Sequence, residues 1–243
     1  RPNTNFGRIT EIRSTITSQY TGLIVQLNRR FSDGIQFQTS YTWSTSVDDN
    51  QNSQTFSSPN VPLDPNNLDG ERGISNFDIP HRFVASMVYA PKTLFGLAGD
   101  SVWGRRILGG WSFAPIVTIS SGNPYSYNVN GNAPNPGIST GILRAGGANR
   151  LLGVPRNLLR TEKTANVDAR LSRRFNFSET MALEILGEVF NVFNRFQVTG
   201  VNTTAYSISG TNLNYSSSFG NPTSAGNSNI RERQVQFAAR FHF

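Results

Sequence analysis

The chain has 243 residues, room for one large β domain or two small ones. Hydrophobic residues make up 37% and aromatics 11%; the first share is low for a globular core and the second is high for a disordered chain, so together they suit a fold with a polar interior. No stretch approaches the ~20 apolar residues of a membrane-spanning helix, the absence of cysteine excludes disulfides and thiolate metal sites, and the +7 net charge comes from scattered residues, not from the basic patch that nucleic acid needs.

The opening Arg1-Pro2-Asn3-Thr4-Asn5-Phe6-Gly7 has no initiator methionine, charged n-region or apolar h-region, and reads as part of a longer precursor. A poorly patterned strand is expected near residues 8–16. Leu23, Val25, Leu27 and Phe31 then alternate with Gly22, Gln26, Asn28 and Arg30. Ser32-Asp33-Gly34 predicts a tight hairpin turn. Beyond it, Ile35, Phe37, Thr39, Tyr41 and Trp43 alternate with Gln36, Gln38, Ser40, Thr42 and Ser44. Phe83, Ala85, Met87 and Tyr89 oppose Arg82 and Ser86, with Val84 and Val88 blurring the second face. Trp111, Phe113, Val117 and Ile119 oppose Ser112, Thr118 and Ser120. Val167, Ala169, Leu171 and Phe175 oppose Asn166, Asp168, Arg170, Ser172 and Arg174. After a short turn near residues 176–179, Met181, Leu183, Ile185 and Val189 oppose Glu184 and Glu188. Val235, Phe237, Ala239, Phe241 and Phe243 close the chain, opposing Glu232, Gln234, Gln236, Arg240 and His242.

A period of two gives each strand one apolar and one polar face. Most runs are near the ~9–11 residues that a tilted strand needs to cross a membrane. The expected fold is therefore all-β: an antiparallel up-and-down transmembrane β-barrel segment of about eight strands, with odd positions toward lipid and even positions toward a wet lumen. Parity alone makes Leu171 intolerant of a charge and Ser172 tolerant of one.

The connections alternate too. Short turns fall on one side, and long Asn/Ser/Gly/Pro-rich stretches near residues 47–80, 122–163 and 195–230 fall on the other, as extracellular loops would. The link over residues 90–110 is long for the short-turn side. Leu27-Asn28-Arg29-Arg30-Phe31 and Leu171-Ser172-Arg173-Arg174-Phe175 each end a strand before a short turn. Phe31, Tyr89, Trp111, Phe175 and Phe241 would lie at one membrane boundary, with Tyr41 and Trp43 at the other. Arg29 and Arg173 share the lipid parity but lie close enough to the boundary to snorkel. A soluble β-sandwich or solenoid is the competing fold; its loops would be shorter and more even.

Few side chains suggest chemistry. With the second turn centred near Ser178, Arg170 would lie diagonally between Glu184 and Glu188, and Asp168 would face Glu188. This lumen charge network either satisfies the wall itself or contacts a plug or solute. Residues 64–70 carry acids near calcium-loop spacing, but the second acid and the glycine arrive late, so a solvated turn is expected. His81 and His242, the only histidines, are too few for a zinc site, and no nucleophile motif accompanies them; neither metal, cofactor nor enzymatic activity is expected. Tyr125, Tyr127, Tyr206 and Tyr215, with Phe219, lie among Asn, Ser and Gly in the long loops. They would either recognise a glycan or peptide or pack the loops together.

Several segments together resemble one family. They are residues 27–44, then Glu71-Arg72-Gly73-Ile74-Ser75-Asn76-Phe77-Asp78-Ile79-Pro80-His81-Arg82-Phe83, then Gly109-Gly110-Trp111 and Ser121-Gly122-Asn123-Pro124-Tyr125, then Glu188-Val189-Phe190-Asn191-Val192-Phe193-Asn194 and the terminal strand. Their order and spacing resemble the C-terminal part of TonB-dependent outer-membrane receptors, most closely the Oar-like type common in Acidobacteria. The resemblance implies a barrel of about 22 strands around a plug, in the outer membrane of a Gram-negative cell. It further implies uptake of an unknown solute driven by TonB through that plug, and Val235, Phe237, Phe241 and Phe243 as an assembly signal read by the barrel-assembly machinery. No plug or TonB box is visible in residues 1–243, so a C-terminal barrel fragment is expected, with self-closure as a small barrel the alternative. A structural or adhesive barrel without transport is the competing function.

Overall fold

The computed structural model describes residues 14–49, 68–92, 107–131, 150–151, 153–210, 212–226 and 231–243. Strands β1 (Ser18–Ser32) and β2 (Ile35–Asp49) are joined by Asp33 and Gly34 alone. Both turn residues have positive φ, 53° and 78°, the type I′ geometry whose twist matches the flanking strands. A Cβ at Gly34 would also fall 2.7 Å from Pro91 Cα, so both backbone angle and space demand glycine.

The chain continues through β3 (Arg72–Ile74), β4 (His81–Tyr89), β5 (Trp111–Ser120), β6 (Pro124–Tyr125), β7 (Asn128–Asn130), β8 (Leu159–Arg160), β9 (Thr164–Asn176), β10 (Ala182–Phe190), β11 (Val198–Val201), β12 (Thr204–Ser209), β13 (Asn212–Tyr215), β14 (Pro222–Ala225) and β15 (Gln234–His242). Seven of these make one antiparallel meander in the order β1-β2-β4-β5-β9-β10-β15, with β3 paired to the far end of β2. All seven well-patterned segments of the sequence are wall strands. The eighth, near residues 8–16, falls chiefly outside the described residues. Among the described residues β1 and β15 are the two edges of the wall and do not pair with each other.

Burial assigns the faces. Every buried wall residue is even-numbered: Ser44, Asp48, Asn166, Ser172, Ala182 and Leu186. The odd positions carry exposed Leu23, Val25, Leu27, Phe31, Trp43, Leu171, Ile185, Val235 and Phe241, with Phe237 82% exposed. Ile24, Val84 and Ile116 are apolar members of the inner parity. A soluble sandwich would hide the apolar face; here the apolar side chains point outward and the buried set is mostly polar. This inversion is what a hydrocarbon surround requires.

The aromatic rows also fall into register. Phe175 pairs with Leu183 and Leu183 with Phe241, while Tyr89 pairs with Phe113, all toward the turn end. Arg173 lies on the outer parity with its guanidinium 5.1 Å from the Trp111 ring centre and 4.5 Å from that of Phe175. The cation is thus held against ring faces at the boundary.

Ser32-Asp33-Gly34, residues 177–181 and the C-terminus lie at one end of the wall. The connections after β2, β5 and β10 lie at the other; the last two build the small sheets β11-β14, β13-β12-β7 and β6-β8. The link from β4 to β5 remains the long exception at the turn end.

Wall strand β10 ends at Phe190 for a local reason. Asn191 adopts φ 49°, a left-handed angle that asparagine tolerates. Its backbone N–H donates to Asp168 Oδ1 at 2.8 Å, its Oδ1 accepts from the Arg195 N–H at 2.9 Å, and its Nδ2 donates to the carbonyls of Arg195 and Arg231 at 3.0 and 2.9 Å. One buried side chain therefore ties the end of β10 to the segment leading into β15. Asn191→Ala is expected to destabilise the fold by about 1–3 kcal/mol, through buried partners left unpaired; urea unfolding of the full protein in lipid measures it.

Candidate functional site

The loop end of the wall is a built mouth, and its acidic half is the segment from Glu71 to His81. Asp48, on the inner face of β2, is fully buried and receives the Arg156 guanidinium at both its carboxylate and its carbonyl oxygen. Arg156 Nε also donates to the Glu71 carbonyl at 3.2 Å. A Cβ at Gly73 would sit 3.2 Å from Arg156 Cβ, which explains the small residue there. Arg150 Nη2 reaches Glu71 Oε2 at 2.7 Å. Arg160 pairs with Asp78, whose other carboxylate oxygen accepts the Ser46 N–H at 2.5 Å. Asn157 Nδ2 donates to the Ile74 carbonyl and to Asn76 Oδ1, each at 2.7 Å. Burial pulls the Arg150 guanidinium below its ordinary pKa, the nearby Arg156 adds to the shift, and Glu71 opposes it.

The two sides form matching strips: three arginines within residues 150–160 meet Asp48, Glu71 and Asp78. Buried charges persist only when paired and hydrogen-bonded, and these pairs fix one long loop to another and both to the inner face of β2. Sequence reasoning did not select Asp48, Arg150, Arg156 or Arg160. The available signal was a series of arginines, Arg144, Arg150, Arg156 and Arg160, in a loop with no other charge before Glu162, but the partners of the last three lie far away along the chain.

The second half of the mouth is aromatic. Tyr127 stacks on Phe219 with ring centres 4.9 Å apart, Tyr125 and Tyr215 meet the same ring edge-on at 6.1 and 6.3 Å, and Tyr206 meets Tyr215 edge-on at 5.5 Å. The four loop tyrosines are thus brought together, and they pack the loops onto each other. Burial, with Tyr127 adding, pushes the Tyr125 hydroxyl up from its ordinary pKa. Gly122 permits the approach beneath them, since a Cβ there would fall 1.9 Å from the Thr161 carbonyl oxygen.

The lumen residues regroup relative to the expected network. Arg170 is directly opposite Glu188 and bonded to it at 2.5 Å, and Gln236 Nε2 completes that carboxylate. Glu184 instead lies opposite Arg174 and 3.8 Å from His242 Nε2. Asp168 does not face Glu188; it accepts Asn166 Nδ2 at 2.9 Å and the Asn191 N–H. The cause is the turn. Asn176 pairs with Ala182, which centres the connection on Glu179 and not on Ser178. Moving the centre by one residue slides the pairing by two, so the faces survive and the partners change.

His81 bonds Tyr41 Oη through Nδ1 at 2.9 Å at the outer rim of the mouth. Of the calcium-like loop, residues 64–67 lie outside the described residues, and Asp69 and Gly70 belong to the short 3-10 turn before β3. Val235, Phe237 and Phe241 line the outer face of β15, and the Phe243 ring stands 6.2 Å from that of Phe241.

A family model described as an outer membrane beta barrel domain matches residues 1–236. No curated protein matches the sequence. The inverted wall, the split between short turns and long loops, and this match agree, and the chain belongs to the outer membrane β-barrel domain family and is located in the outer membrane.

Proposed function

We propose that this chain forms part of the wall and the extracellular mouth of a TonB-dependent receptor of the Oar-like type, admitting a scarce solute through a gated lumen. The observation that carries the reading is the mouth. Loops that served only to join strands would need no buried ion pairs over the lumen face of β2, whereas a recognition surface needs rigid support. The polar inner face, with Arg170, Glu188, Gln236 and Glu184 in rows, suits a plug or a hydrated solute passing along it. Energy coupling lies with TonB and a plug outside residues 1–243.

A labelling experiment tests coupling without knowledge of the solute. Ser86 is on the inner face of β4, in register with Gln38 and Ile116. In the full-length receptor on a cysteine-free background, Ser86→Cys is expected to react with an external maleimide only when TonB is present and the inner membrane is energised. Equal labelling in cells lacking TonB would favour a static structural or adhesive barrel.

The outward aromatics of β15 support its role as an assembly signal. Phe243 is 95% exposed, so Phe243→Ala removes little packing. The assembled fraction in cells is expected to fall severalfold while the urea midpoint of the purified, refolded barrel stays unchanged. Normal membrane insertion of the variant would remove the basis for that role.

A further inference from the structure

We propose that the aromatic half of the mouth is a binding site for a neutral oligosaccharide, with Tyr215 as its stacking platform. This inference rests on the receptor reading only for its context; binding is measured independently of uptake.

The first support is charge. The chain carries 22 basic and 15 acidic residues, yet none lies between Ser121 and Leu143 or between Phe196 and Ile230. These two stretches supply all five clustered rings. The charges of the neighbouring half of the mouth are engaged with one another, in Arg156–Asp48, Arg150–Glu71 and Arg160–Asp78. Among the described residues an anionic or cationic solute would find no complementary charge within these two stretches. A neutral one loses nothing by that absence.

The second support is geometry. Tyr215 is 62% exposed, yet its ring is held by two edge-on contacts, with Tyr206 at 5.5 Å and Phe219 at 6.3 Å. Phe219 is in turn stacked on Tyr127. An exposed ring held by half-buried neighbours gives up little entropy on binding and presents a flat apolar surface with a polar tip. The C–H face of a pyranose matches such a surface.

The third support is the rim. β12 and β13 pair Tyr206 with Tyr215 and Ile208 with Leu213 on one face, which seats the ring on a hairpin, and the polar groups that rim it come from the neighbouring turns. Around the rings, Asn202 Nδ2 bonds Ser218 Oγ at 2.8 Å and Ser216 bonds Ser218 at 3.0 Å. Neutral amides and hydroxyls that donate and accept in fixed positions suit a ligand dense in hydroxyl groups. A peptide would bring charged termini and side chains for which this patch offers no counter-charge, so the glycan is the favoured occupant.

The test uses the full-length receptor purified in detergent, with saturation-transfer NMR and calorimetry. The probes are maltohexaose, cellohexaose, xylohexaose and mannohexaose, against hexagalacturonate as a charged sugar and a neutral hexapeptide. At least one neutral hexasaccharide is expected to bind, with hexagalacturonate and the peptide silent. Tyr215→Ala should weaken that binding about tenfold or more and Tyr215→Phe about twofold or less, because the ring face and not the hydroxyl makes the contact. Unchanged thermal unfolding of both variants separates lost contact from lost fold. Binding of the charged sugar or the peptide alone, silence of all four neutral sugars, or full affinity in Tyr215→Ala would each overturn the proposal. TonB-dependent labelling at position 86 with no sugar binding would leave the receptor reading standing and remove this one.

Discussion

Arg156→Met is expected to cost about 3–5 kcal/mol, the largest effect of any single change in the mouth. Breaking one half of a buried pair leaves a charge in a poorly solvating site. Arg156 is almost fully buried and holds the carboxylate and carbonyl of Asp48, the carbonyl of Glu71 and, at 3.4 Å, that of Gly73. The loss should concentrate at the loop end. Hydrogen exchange should accelerate at β3 and along residues 68–80 and 153–160, while β9 and β10 below remain protected. Replacing both partners, Asp48→Leu with Arg156→Met, should recover more than half of the loss, because the uncompensated charge disappears with its partner. A double variant as unstable as the single one would mean that the carbonyl contacts, not the ion pair, hold the loops.

Leu171→Arg should cost about 1–3 kcal/mol, between the penalty for an arginine at the bilayer midplane and the smaller one at the boundary where Arg173 lies. Leu171 is 47% exposed on the outer face and lies between Phe113 and Gly187 on the neighbouring strands. On the opposite parity, Gln38→Arg should stay within about 0.5 kcal/mol, since Gln38 is exposed on the inner face between Asn28 and Ser86. Urea unfolding of the two variants in lipid vesicles makes the comparison, and equal penalties would contradict the facing of the wall.

Ser172 shows where parity ceases to be enough. Alternation places it correctly on the inner face, and on that ground it reads as tolerant of charge. In the structure it is buried opposite Leu186, so an arginine there would meet packing and not water. Parity is legible because it is local: each residue's face follows from its neighbour's. The same is true of Asp33 and Gly34, whose backbone demands are written in two letters. Register is less legible, since one residue in the centre of a turn separates Arg170 facing Glu188 from Arg170 lying between two acids.

The mouth was hardly legible at all. Glu71, Gly73, Asn76 and Asp78 stand in one recognisable segment, but what they do depends on Arg150, Arg156, Asn157 and Arg160, which meet them only in three dimensions. The aromatic cluster was legible as a set of residue types and not as an arrangement. The choice between packing and recognition turns on which ring faces remain open, and Tyr215 was indistinguishable from Tyr127 in that respect until their neighbours were known.

Two pairs of the wall, β1 with β2 and β9 with β10, are closed by short turns, whereas the mouth joins positions such as Arg156 and Asp48, 108 residues apart, and Asn128 and Thr203, 75 apart. Closing short spans costs less chain entropy than closing long ones. Hairpins should therefore form early, with the outer vestibule the last region to set. A barrel halted late in biogenesis would present a finished membrane girdle beneath an unlatched rim, and surface proteases would find it before they found any mature copy.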